Sequence, residues 1–148
     1  MKLEDIWKKI KAILEEKDGV LSYIKIVYSG TRENIPVNMF PCIILEPVSA
    51  PEEAITMPSN MEVNFTITIW AYVKIYDVDK QIIGDTTTKG ILDINFDIKK
   101  ALGAHDDLDG ECLYFEFPDT RFDFDSYPFR RVGVDMKITL RQNFVTRT

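Results

Sequence analysis

Between Met61 and Tyr76 the side chains alternate without a break for sixteen residues, and few folds can hold such a run. Met61, Val63, Phe65, Ile67, Ile69, Ala71, Val73 and Ile75 fall on one side, and the intervening residues, Glu62 to Tyr76, fall on the other. A period of two is the signature of a β-strand. At about 3.3 Å per residue the run spans roughly 50 Å, well beyond the usual five or six residues. A strand of that length either bends at a bulge or extends as a hairpin arm against a neighbour. Its second side carries Trp70, Tyr72 and Tyr76, residue types enriched at interfaces. Either a further helix covers that side or it meets another protein.

A second long run lies at about 129 to 145. Val132, Val134, Met136, Ile138 and Leu140 alternate there with Gly133, Asp135, Lys137, Thr139 and Arg141. Two strands of matched length are expected to pair or face one another. Shorter strands are expected at 23–28, 42–46 (closed by Pro47), 111–117 and 121–127. The i, i+3, i+4 spacing of Leu3, Ile6, Trp7, Ile10, Ile13 and Leu14 predicts an amphipathic helix over 3–17, stopped at Asp18-Gly19. A helical region is expected over 78–102, loosened near Gly84 to Gly90. Its firmer part is lined by Ile91, Ile94, Ile98, Ala101 and Leu102 and ended by Gly103. Residues 47–60, with Pro47, Pro51 and Pro58, read as a long proline-rich loop able to meet a partner. The expectation is a single α+β domain over 1–148. It would be built on an antiparallel sheet of mixed strand lengths with long hairpin-like strands, an N-terminal helix and one mid-chain helix.

Composition narrows the chemistry. Eighteen basic and 24 acidic residues leave a net charge of −6, a poor balance for a protein whose work is gripping phosphates. One His, two Cys and seven Gly offer little for a His-rich metal site or a Gly-rich phosphate loop. Cys42 and Cys112 sit singly in apolar runs and read as reduced core residues. The N-terminal residues mix charge with apolar positions, so neither a secretory signal nor a membrane span is expected.

Two constellations could carry chemistry. His105, Asp107, Asp109, Gly110 and Glu116 match positions 1, 3, 5, 6 and 12 of a calcium loop. Histidine suits calcium poorly, however, and 113–117 alternates as a strand. Asp107, Asp109 and Glu116 are therefore candidate ligands set against an ordinary turn, and no cofactor or metal is assigned. The second constellation is Asp119, Asp123 and Asp125 with Arg121, Arg130 and Arg131. Carboxylates on one strand face can serve acid–base chemistry. Charges across a hairpin more often form ion pairs. A carboxylate-based enzyme or cation-binding module centred on 105–125 is the alternative to a structural protein; a non-enzyme is the expectation.

Charge is unevenly placed. Residues 61–110 hold nine acids and five bases, whereas 111–148 hold six of each, five of those bases being arginine. Arginine favours specific, bidentate partners. An acidic middle and an arginine-bearing end suit copies that meet head to tail and close as a ring.

The order of elements, with Phe40-Pro41-Cys42-Ile43-Ile44-Leu45-Glu46-Pro47, Trp70-Ala71-Tyr72-Val73-Lys74 and the last strand from Arg131 to Phe144, resembles the tail terminator, or tail-completion, proteins of long-tailed bacteriophages. That resemblance implies a virion protein of the tail or neck, assembled in the host cytoplasm. It would form a homohexameric ring on the tail tube, stop tube polymerisation and meet the head–tail connector. DNA would pass through the lumen without specific binding, which negative walls favour. It also implies that Trp70, Tyr72, Met57 and the Arg130/Arg131 pair are interface residues. Another head–tail joining or neck protein is the nearest alternative.

Overall fold

The computed structural model describes residues 2–30, 35–54, 60–74, 89–123 and 129–143. Its elements in chain order are α1 (Leu3–Leu14), β1 (Ile26–Ser29), a 3-10 turn (Val37–Met39), β2 (Cys42–Ser49), β3 (Glu52–Ala54), β4 (Asn60–Lys74), α2 (Ile91–Gly103), β5 (Tyr114–Asp123) and β6 (Phe129–Asn143).

The two long alternating runs become β4 and β6, paired antiparallel from Asn60↔Asn143 to Lys74↔Phe129. This ladder is the spine of one sheet ordered β1-β2-β4-β6-β5. β3 pairs with β4 beyond the end of β2, so β2 and β3 act as one interrupted strand along the same edge. The expected 47–60 loop is therefore strand at 47–49 and again at 52–54, and only 55–59 lie outside the described residues. Pro47 does not close β2, which runs two residues further, with a register shift between Pro47 and Ser49. Likewise β5 is one strand with an irregularity between Glu116 and Asp119, beside Pro118, where two strands were expected; 124–127 lie outside the described residues.

The sheet is mixed, a correction to the antiparallel expectation: β1 and β2 are parallel, in register Ile26↔Cys42 to Ser29↔Leu45. A connection of about a dozen residues separates them, long enough to return the chain to its starting end, where a tight hairpin would have reversed it. The backbone bonds from Lys25 N to Pro41 O (2.9 Å) and from Gly30 N to Leu45 O (2.8 Å) extend the pairing at either end.

Both described α-helices pack on one face. α1 buries Ile6, Ile10, Ile13 and Leu14, and α2 buries Ile91, Ile94, Ile98 and Leu102, as their periodicity predicts. Asp93 accepts a hydrogen bond from the Gly90 N–H at the start of α2 (3.2 Å). The sheet supplies Val63, Phe65, Ile67, Ile69 and Ala71 from β4, with Val132, Val134, Met136, Ile138 and Leu140 from β6. The earlier part of the expected 78–102 helix lies outside the described residues. Among the described residues no helix is long and apolar enough to cross a membrane.

Candidate functional site

With both helices on the inner face, the other side of the sheet is organised as rows across the strands. One row runs Ile44, Trp70, Gly133, Arg121 from β2 to β5; the next runs Cys42, Tyr72, Arg131, Asp123; a third runs Glu46, Thr68, Asp135, Asp119. Of the two alternatives for the Trp70 side, neither described helix covers it.

Trp70 is the centre of this face, yet only 8% exposed. Its ring lies over Gly133, where a Cβ would come within 2.7 Å of ring carbon Cζ3. Two guanidinium groups flank the ring, with Cζ of Arg131 4.0 Å and Cζ of Arg121 5.0 Å from its centroid. Trp70 is thus a buried platform for arginines, and the arginines are what the face presents.

Each arginine is fixed by an acid. Arg131 donates from Nε to Asp123 (2.5 Å) and from Nη1 to the Tyr72 hydroxyl (2.9 Å). Burial works against its charge, but the bonds to Asp123 and Tyr72 outweigh that and hold its pKa above the ordinary value. Arg121 donates from Nη2 to Asp135 (2.8 Å) and to the Thr68 hydroxyl (3.1 Å), while Thr68 itself donates to Asp135 (2.8 Å). Further along the same face Lys137 lies 3.7 Å from Glu116, and Thr139 donates to Asn64 (3.0 Å). Of the carboxylates read for acid–base chemistry, Asp123 is therefore an arginine partner, and Asp135 is a second; each accepts a charge-assisted bond. Asp135 is the member that sequence reasoning left out. The signal for it was its place two residues after Gly133 on the same strand face.

Of the residues named for an interface, Trp70, Tyr72 and Arg131 come together here. Arg130 does not join them. It is opposite Val73 in the β4–β6 register, and consecutive strand residues point to opposite faces. Met57, like Asp125, lies outside the described residues.

The His105–Glu116 stretch takes another form than a cation loop. Leu108, Asp109 and Gly110 all have positive φ (50°, 56° and 91°), and Leu108 is fully buried. The Asp107 carbonyl accepts from the N–H groups of Gly110 and Cys112 (both 3.1 Å). The Asp109 carboxylate meets His105 Nδ1 at 3.0 Å and Lys9 Nζ at 2.5 Å. Hydrogen bonding to His105, then to Lys9, holds it below the usual carboxylate range. Glu116 stands on β5 opposite Lys137. The turn is a clasp between α1 and the end of α2. Among the described residues no three His, Cys, Asp or Glu side chains converge as a metal cluster.

A third feature is a cleft of about 320 Å³ between the C-terminal ends of the two helices. Ile13, Val20, Leu21, Ala101 and Ala104 form its apolar walls, with Glu16, Lys100 and His105 also lining it. In comparisons with known proteins, no family model matches this chain and no curated protein matches it.

Proposed function

We propose that this chain is a structural subunit of a phage tail or neck: a protein that forms a ring capping the tail tube, ends tube polymerisation and joins the tail to the head connector. The observation that carries the reading is the outer sheet face. A small α+β subunit keeps both described helices on one side and gives the other to Trp70, Tyr72, Arg121 and Arg131, pre-set by Asp123 and Asp135. Arginines held in fixed geometry by partners are suited to specific protein contacts, because little side-chain freedom is lost when they bind. The net charge of −6 supports a wall that DNA passes without being held.

The reading is of a non-enzymatic, homo-oligomeric protein whose other partners are the tube protein and the connector. Electron microscopy of tails assembled without this gene tests it directly. Tails of irregular, overlong length are expected. Uniform tails of normal length that fail to join heads would move the protein to another neck layer, and normal, infectious particles would end the proposal.

A further inference from the structure

Among the described residues, β5 is the last strand on its side of the sheet and pairs along one edge only, with β6. Its backbone groups can be assigned to one edge or the other. The Thr139 carbonyl accepts from the Leu113 N–H (2.9 Å), whereas the N–H of Asn64, opposite Thr139 on β4, turns away to the Pro51 carbonyl (3.0 Å). Odd-numbered residues of β6 therefore bond toward β5. Their partners Tyr114, Glu116, Asp119, Arg121 and Asp123 spend their backbone groups on β6. Phe115, Phe117, Thr120 and Phe122 turn theirs to the open edge. The Thr120 N–H agrees with this, since it donates to the Asp119 carboxylate beside it (2.8 Å). An open row of this kind is a template for another strand.

We infer that this edge pairs antiparallel with β5 of a second copy of this chain, about a two-fold axis between Pro118 and Asp119. In that register Phe115 stands opposite Phe122 of the other copy, Glu116 opposite Arg121 and Phe117 opposite Thr120, each pair occurring twice. The strand fits itself in backbone, in facing and in charge. All the open-edge residues meet one another and form about eight backbone bonds, the Thr120 N–H passing from Asp119 to the other strand. Pro118, which has no N–H to offer, falls opposite Asp119, whose backbone is used on β6. Facing agrees because the irregularity between Glu116 and Asp119 adds one residue to β5. Outer-face residues are even-numbered before it and odd-numbered after it, so each meets an outer-face residue of the copy. Charge agrees at Glu116, which is exposed, and at Arg121. Arg121 uses Nη2 for Asp135 and Thr68, which leaves Nε and Nη1 for a carboxylate across the contact. On the helix side the ring of Phe122, 44% exposed, is covered by Phe115 of the copy. The contact is isologous and closes at two copies, so it goes beyond the proposed head-to-tail ring and does not rest on it.

Sedimentation velocity at rising concentration is expected to show the 17.1 kDa chain populating a dimer. Amide hydrogen exchange at Phe115, Phe117 and Phe122 is expected to slow at least tenfold in that dimer, a change that a contact elsewhere on the molecule would not produce. Thr120→Pro removes an open-edge N–H and leaves the ladder to β6 in place, and Phe122→Lys sets a charge against Phe115. Circular dichroism checks that each folds, and both are expected to be monomeric where the wild type is dimeric. Glu116→Arg and Arg121→Glu each oppose like charges twice and should weaken self-association roughly tenfold. Mixed in equal amounts, the two variants restore opposite pairs and should form a heterodimer close to wild-type affinity. A wild-type chain that stays monomeric at millimolar concentration overturns the inference. So does a dimer whose edge amides exchange as fast as the monomer's, or a mixture that binds no tighter than its components. Tail length in particles lacking the gene is a separate readout, so the ring can fail while this contact stands, and the reverse.

Discussion

Gly133 decides how the outer face is built. Every other residue type would put a Cβ against the Trp70 ring at 2.7–2.9 Å, closer than packed carbon atoms tolerate. Gly133→Ala is expected to cost about 1–3 kcal/mol by overpacking, read as a lower urea midpoint at unchanged slope. Combining it with Trp70→Leu should cost less than the two single losses added, because the clash needs both partners. Buried thiols make a second prediction at this scale. Burial raises the Cys42 pKa to about 12, and burial, with Asp107 and Glu111 adding to it, raises Cys112 to about 11, from an unfolded value of 9.0. Below pH 9 both states hold the proton; above it the unfolded chain releases it first, so folded stability falls as pH climbs from about 9 toward 12. Burial, then the bond to Asp97, raises Tyr23 as well, which steepens the fall above its ordinary 10.0. Denaturant titrations across that range should show the decline, and Cys42→Ala should flatten part of it. A decline of equal depth in that variant would assign the effect elsewhere.

At the scale of elements, the ladder from β4 through β6 to β5 joins the inner core to the outer charge network. In a double-mutant cycle, Arg131→Ala and Asp123→Ala should couple by about 1 kcal/mol, since the pair is only partly exposed and its geometry is fixed by Tyr72. Arg131→Lys should not restore that coupling, because an ammonium cannot reach Asp123 and Tyr72 at once while lying flat on Trp70. What was legible in the sequence follows the same division. The period-two runs at 61–76 and 129–145 identified β4 and β6, and the spacing of Ile6, Ile10 and Leu14 identified the buried stripe of α1, because burial on one face imposes periodicity directly. The β1–β2 direction was not legible, since it depends on how a dozen connecting residues travel. The continuation of β2 past Pro47 was hidden because proline normally marks a strand end, yet an interrupted edge tolerates it. At the candidate site, the aromatic and arginine members could be read as a set. Their burial could not, because it depends on Gly133 standing opposite Trp70, a matter of register between strands more than sixty residues apart.

For the whole molecule, the proposed assembly would have to bring together copies that carry −6 each. Their mutual repulsion reaches about 30 Å at 0.01 M salt and about 8 Å at 0.15 M. In the proposed assembly the outer arginines of the sheet, Arg121 and Arg131, meet carbonyl or acidic groups of another copy, and screening weakens such exposed charged contacts. Association should therefore weaken as salt rises, even though salt also shortens the repulsion between the negative copies. An assembly held by apolar surface would respond in the opposite direction, because salt then removes an opposing force without weakening the attraction. Sedimentation velocity across a salt series distinguishes the two. Falling weight-average mass with salt, with a smaller dependence in Arg121→Ala, places the driving force in the arginine face; rising mass places it in apolar surface.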